Sequence, residues 1–325
     1  SQFISPTNIS AMFDQVQLRQ EIKRRRTEEH DALYSQAYSE DGRLLAVGSS
    51  AGSVCVWDVE RVLGQHVDLE QRSHPINTFQ AHDGSVYTMV TYNKYLITAG
   101  GPDIKVWRWQ DLSTSENITP VYTLQTHSDS TSHYEVNSLS IDHTAGLLFA
   151  GSGDCNVYVF DLQQQQHVQT LQGHTQYVHC VTALPKSSRC ASASEDGSVR
   201  LWDVRSNQKP TELWPHTAMG TPHARYMSSV AVDRGEDWLA CGGSCAGTLW
   251  SLVSNTFVTA LKSTTPTSTV ASMVFTETGL TTVGNSSVVQ DWNHEGNLIR
   301  EVKCSSPELF SIAQSTSEPS PLQVK

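Results

Sequence analysis

The sequence predicts an all-β fold: a β-propeller of the seven-bladed type whose last blade is incomplete, with a six-bladed ring as the alternative, preceded by an N-terminal α-helix. Three observations carry that expectation. An aromatic residue recurs at Trp57, Trp107, Phe160, Trp202, Trp250 and Trp292, at intervals of 42 to 53 residues, as in a chain of blades whose loops vary in length. Each aromatic lies in a short alternating or apolar run, at 53–58, 104–109, 156–162, 198–204, 248–252 and 287–292, which has the length and period of a strand. Composition agrees: of 325 residues, 17% are charged and 38% hydrophobic, enough apolar material for one large core of short strands joined by turns.

The elements follow in order. Residues 1–30 form an extension in which the stretch from Ser10 to Glu29 lacks Gly and Pro and is rich in Gln, Arg, Glu and Lys, a helix-favouring composition. Ile9, Met12, Phe13 and Val16 fall at helical spacing, and Lys23 to Arg26 form a basic run. The stripe needs a surface to cover, either the propeller's own side or a partner, so Phe13, Val16 and Arg24 are candidate partner contacts. The propeller spans 31–314. Its first unit has strands at 32–38, 44–48, 53–58 and 76–79. The second uses 86–90, 95–98, 104–109 and 121–124, and the third 136–141, 147–150, 156–162 and 167–171. Units four, five and six run from Tyr177 to Leu213, Tyr226 to Ala260 and Val270 to Val302, and a last candidate strand at 309–314 would open a seventh. A Ser- and Pro-rich end, 315–325, reads as disordered.

Unit four is the most complete. Gly173 and His174 precede its first strand, Ser192 lies on the second, Asp196 in the following turn, and Trp202 and Asp203 close the third. That is the pattern of a WD40 blade. His174, Ser192 and Asp196 also supply the residue types of a nucleophilic triad, but a triad is identified by geometry and roles. A buried indole N–H and a buried hydroxyl both need partners, and His174, Ser192, Asp196 and Trp202 together form a structural tetrad that meets this need. The other units repeat it in decayed form. Unit two has His82, Thr98 and Trp107 with Gly101 at the turn position. Unit three keeps Asp154 but has Ala150 and Phe160. Units one and five carry Ala51 and Ser244 in the turn, and unit six has Thr282, Ser286 and Trp292. Recurrence with decay is the signature of a structural set, and on this reading unit four alone keeps it whole.

Charge and motifs exclude several function classes. A formal net charge of -11 repels phosphate, so RNA is reached only indirectly. The seven cysteines show no metal-ligand spacing and read as buried reduced thiols, no run approaches a membrane span, and the glycine-rich stretches match no phosphate loop. No catalytic residue, cofactor or metal is expected, and the chain reads as a binding scaffold. Candidate partner contacts on loop tips are Asp83, Arg108, Tyr177, Trp214 and Arg225. Trp202 to Arg205 also read WDxR, resembling the box of cullin-4 ubiquitin ligase substrate receptors, with Arg205 as the adaptor contact.

Some stretches are more particular: TFQAHDGSVYTMV at 78–90, ITAGGPDIKVWRW at 97–109, GHTQYVHC at 173–180, and DWLACGGSCAGTLWSL at 237–252 preceded by Pro222, His223 and Arg225. In this order they resemble the THO complex subunit 6 family, the fifth-blade segment being the most specific. The resemblance implies a nuclear, non-catalytic subunit in nucleoplasm and nuclear speckles, part of the TREX machinery that couples transcription, splicing and processing of messenger RNA to export. It also implies contacts with other THO subunits, coiled-coil ones among them, in a larger oligomer.

Overall fold

Twenty-four short strands in six antiparallel sheets of four build the described part of the molecule. The computed structural model describes residues 32–64, 74–114, 117–126, 134–206, 208–220, 226–244, 247–262, 269–306 and 308–313. The N-terminal extension, the C-terminal end, and with them Phe13, Val16 and Arg24, lie outside these residues.

Each sheet is one blade. Blade one comprises β1 (Leu33–Tyr38), β2 (Leu44–Ser49), β3 (Ser53–Asp58) and β4 (Asn77–Gln80), and blade two β5 (Thr88–Tyr92), β6 (Tyr95–Ala99), β7 (Asp103–Arg108) and β8 (Tyr122–Gln125). Blade three follows with β9 (Val136–Asp142), β10 (Leu147–Ser152), β11 (Asn156–Asp161) and β12 (Gln166–Gln172). Blade four has β13 (Val178–Leu184), β14 (Arg189–Ser194), β15 (Val199–Asp203) and β16 (Thr211–Leu213). Blade five has β17 (Met227–Val232), β18 (Trp238–Gly243), β19 (Thr248–Ser251) and β20 (Thr256–Ala260). Blade six has β21 (Val270–Thr276), β22 (Gly279–Gly284), β23 (Val288–Trp292) and β24 (Leu298–Lys303). First strands of successive blades are neighbours from β1 to β21, so they line the axis. Among the described residues three short helices interrupt the connections: α1 (Val59–Leu63), α2 (Trp109–Thr114) and α3 (Pro215–Ala218). Asp58 caps α1 by accepting from the Arg61 amide at 3.0 Å, and Trp109, expected to end a strand, instead begins α2.

Middle strands are buried on both faces, which is why they read as apolar runs. On blade one Ala46, Val54 and Val56 meet Leu96, Trp107 and Trp109 of blade two; the opposite face of blade two sends Ile97, Ile104 and Val106 against Leu139, Leu148 and Phe160 of blade three. Where the first and second strands of a blade meet at their upper ends, the backbones approach so closely that glycine is required at the ends of some second strands. A Cβ on Gly100 would stand 1.9 Å from the Ser85 carbonyl oxygen, and one on Gly284 1.8 Å from that of Thr269. Backbone atoms cannot swing aside as a side chain does.

The seventh blade is a correction. Among the described residues the ring has six blades, so the six-bladed alternative holds, and 309–313 form no strand. These residues run between blades six and one. The Leu309 amide donates to Gly284 O at 2.9 Å, Gln36 Nε2 donates to Ser311 O at 3.4 Å, and Phe310 packs edge-on against Tyr34 at 5.5 Å. The Leu309 bond repeats the ones by which Val86 meets Ser49 O and Val136 meets Gly101 O at earlier blade junctions. No second strand among the described residues pairs with this segment, so its backbone bonds go singly to the blades on either side. One consequence falls on blade one. Its face toward the segment, bearing Leu45, Val47 and Trp57, is half-buried, whereas Trp107, Trp202, Trp250 and Trp292 are buried.

Candidate functional site

In blade four a carboxylate can only accept, and this fixes the direction of the hydrogen-bond chain. His174 Nδ1–H donates to Asp196 Oδ2 at 2.9 Å, which leaves Nε2 to accept from Ser192 Oγ at 2.7 Å. Ser192 Oγ in turn accepts from Trp202 Nε1 at 2.8 Å. Ser198 Oγ donates to Asp196 Oδ1 at 2.6 Å, and the Ser198 amide to the same oxygen at 2.9 Å. Burial pushes the Asp196 carboxyl up, but the bonds from His174 and Ser198 outweigh it and hold it well below the usual carboxylate range. Ser192 is fully buried.

Blade two carries the same chain, which corrects the reading that blade four alone does. His82 Nε2 lies 2.9 Å from Thr98 Oγ1, Trp107 Nε1 donates to Thr98 Oγ1 at 2.9 Å, and His82 Nδ1 meets Asp103 Oδ1 at 3.3 Å. The acid is Asp103, the first residue of β7, and not the residue aligned with Gly101. The His82 bond, against the opposing effect of burial, lowers its carboxyl to about 2. Elsewhere the indole keeps a shorter version. Trp292 donates to Thr282 Oγ1 at 2.8 Å, and Trp250 donates to Thr248 Oγ1, two residues earlier on its own strand, at 3.0 Å. In blade three Asp154 instead accepts from Tyr158 Oη and Asn156 Nδ2.

The loop-tip candidates divide. Each first strand begins at the end of the blades where the His and Asp turns also lie, and Asp83 and Tyr177 are exposed at this upper mouth of the axis. Arg108 ends its third strand and Arg205 follows its own, both at the opposite end; Arg108 faces Asp111 at 3.9 Å, and Arg205, with a 66% exposed side chain, pairs with Asp203 at 3.3 Å. Trp214 follows the outermost strand β16 and meets His216 edge-on. Arg225 lies outside the described residues. The expected burial of the thiols holds for Cys190 and Cys241, whereas Cys55, Cys155, Cys180 and Cys304 are half-buried.

Around the upper mouth, beside the expected Tyr177, stand residues that the motif reading missed. Tyr34 stacks on Tyr87 at 5.7 Å and meets Phe310 at 5.5 Å; Tyr177 stacks with His179 at 6.5 Å, and His179 meets Tyr226 at 6.2 Å. The signal was present in the sequence. An aromatic stands beside the first buried residue of four inner strands, in LYS, VYT, YVH and RYM, and Phe310 recurs in the LFS of the segment after blade six.

A model of the WD domain, G-beta repeat family matches residues 165–203, and one of the nucleolar protein 10-like, N-terminal domain matches residues 5–154. The chain is 32% identical over 288 residues to human THO complex subunit 6, covering 87% of this chain and 82% of that protein. It is 29% identical to the Danio rerio homolog, covering 87% of each, and 23% identical to the Arabidopsis thaliana protein over 91% of this chain. Among solved structures, the crystal structure of RRP9 WD40 repeats superposes with a TM-score of 0.67 over 85% of this chain and 82% of that one, at 18% identity, a likeness of fold.

Proposed function

The chain belongs to the THO complex subunit 6 family, and on that premise we propose that it is a non-catalytic scaffold subunit of a THO/TREX assembly in the nucleus. The observation that carries this is the 32% identity to the human protein across 87% of the chain. In this reading the propeller holds other THO subunits, coiled-coil ones among them, in a higher-order complex. Its setting is nucleoplasm and nuclear speckles, where messenger RNA is processed, spliced and exported, and RNA is contacted through basic neighbours.

The non-catalytic part rests on geometry. The Ser192, His174 and Asp196 chain has the donor order of a hydrolytic triad, but Ser192 Oγ is buried and already accepts from Trp202, so no substrate carbonyl has a path to it. A second copy of the chain in blade two is what a fold-stabilising device predicts. Labelling of Ser192 by an acyl phosphonate probe in the folded protein would refute the assignment. The complex is tested by affinity purification from nuclei with mass spectrometry; recovery of THO subunits is expected, and their absence rejects membership of the assembly. A second reading, a cullin-4 ligase receptor, is favoured by the exposed Arg205 of the WDxR sequence. An Arg205→Ala chain that recovers the ligase adaptor as well as the parent does removes it.

A further inference from the structure

The aromatic residues at the upper mouth form an annulus whose charged partners outside ion pairs, among the described residues, are acidic. Starting at Phe310, ring contacts lead to Tyr34 and Tyr87. A cavity of about 630 Å³ joins Tyr87 to Asp83 and Glu135. Glu135 adjoins Tyr177 across Gly153, whose missing side chain leaves room for the ring: a Cβ there would stand 2.6 Å from Tyr177 and 3.4 Å from Glu135 Oε2. Tyr177 continues through His179 to Tyr226, and a second cavity of about 260 Å³ joins Tyr226 back to Phe310 and Glu308.

The large side chains are displayed, not packed away: Tyr87, Tyr177, Tyr226 and Phe310 are 37, 40, 41 and 43% exposed. Burying them against the core was open to the sequence, since neighbouring Val86, Val178 and Met227 are fully buried. Asp83, Glu195 and Glu308 are exposed and Glu135 half-exposed. Glu195 follows the annulus directly, its amide bonded to Tyr177 O. The cation lining the larger cavity, Lys105, is already engaged by Ala81 O at 2.8 Å and Asp103 at 3.2 Å. Burial lowers the pKa of His179, so its ring adds no positive charge at neutral pH. Exposed π-faces interleaved with unneutralised carboxylates fit cations on flexible stems, by cation–π attraction and charge pairing together, and repel a phosphate backbone.

We propose that this annulus is a docking surface for an extended basic segment of a partner protein, whose arginine or lysine side chains lie on Tyr87, Tyr177, Tyr226 and Phe310 and pair with Glu135, Glu195 and Glu308. The inference deepens the scaffold reading by naming a face and a partner chemistry, and its test uses the isolated chain, so it stands or falls independently of co-purification with THO subunits. The whole chain is titrated into a fluorescein-labelled peptide of alternating glycine and arginine, followed by anisotropy at physiological salt. Saturable binding is expected, weakened about tenfold or more by Tyr177→Ala with Tyr226→Ala, and similarly by Glu195→Gln with Glu308→Gln, two exposed positions whose replacement leaves the core intact. Val253→Ala, at an exposed site away from the mouth, should bind as the parent does, and a glycine–glutamate peptide should not bind. Absence of saturable binding overturns the proposal, as does binding that both double variants retain, or preference for a single-stranded RNA oligonucleotide over the peptide.

Discussion

Replacing Trp202 with Ala removes the side chain on which blade four depends twice. The ring is 5% exposed and sits among Phe149, Val157, Val159, Leu171, Val178, Val181 and Cys190, so its loss leaves a cavity between blades three and four. Truncation of a buried aromatic costs about 3–5 kcal/mol. Within that total the indole bond to Ser192 contributes about 1 kcal/mol, so Trp202→Phe, which keeps most of the ring, should cost about 1–2 kcal/mol. Trp57 is the internal control. It occupies the same place on blade one, but its face looks toward the single segment 309–313 and is only partly buried; with less area buried, Trp57→Ala should cost less, about 2–3 kcal/mol. Urea unfolding followed by far-ultraviolet circular dichroism, which does not depend on the tryptophans, gives all three values. If Trp202→Ala were no more destabilising than Trp57→Ala, the account of interblade packing and of the indole as tetrad anchor would be wrong.

Gly284→Ala should lower stability by about 1–3 kcal/mol, because the new methyl meets the Thr269 carbonyl; a thermal melt equal to the parent's would show that the first two strands of blade six are less tightly paired there than described. Asp103, held at about 2 by its bond from His82 against an ordinary carboxylate value of 3.8, contributes stability that is fully present above about pH 4 and is lost as pH falls through about 2. Relative to Asp103→Asn, the parent should therefore lose an advantage of about 1–2 kcal/mol over that window, and parallel melting curves of the two proteins against pH would contradict the assignment. Burial pushes the Cys190 thiol up, so iodoacetamide should label Cys304 in the folded protein and Cys190 only once urea has opened blade four; early labelling of Cys190 would contradict its burial.

The blades were legible in the sequence because the middle strands are largely buried and each third strand closes on a large aromatic, Trp in five blades and Phe160 in blade three. The acid of blade two was not. Its turn is one residue shorter than that of blade four, so alignment by position lands on Gly101 while the side chain that reaches His82 belongs to Asp103, and only three-dimensional proximity distinguishes them. The segment 309–313 misled for a related reason: LFSI has the pattern of the inner strands, and it makes the junction bond of an inner strand, but strand formation needs a neighbour, which local pattern does not encode. The annulus was missed because one exposed Tyr in one repeat is unremarkable; the information lies in the recurrence of an aromatic on one side or the other of the junction residue in several blades.

The two sets of polar and aromatic groups divide the labour of the molecule. Within the blades, each hydroxyl, imidazole and indole of a tetrad is committed to another member, so the groups most able to do chemistry are the ones least able to reach a ligand. At the upper mouth the situation is reversed. There the aromatics are exposed, and Asp83, Glu135, Glu195 and Glu308 enter no ion pair among the described residues. A chain of net charge -11 gains little by collecting carboxylates around one opening unless something positive offsets their mutual repulsion. Such a surface associates quickly with a basic partner and releases it as salt rises. The ring itself, held by buried apolar side chains between blades and by tetrads whose Thr98, His82, Ser192 and His174 are buried, should respond far less to the same change.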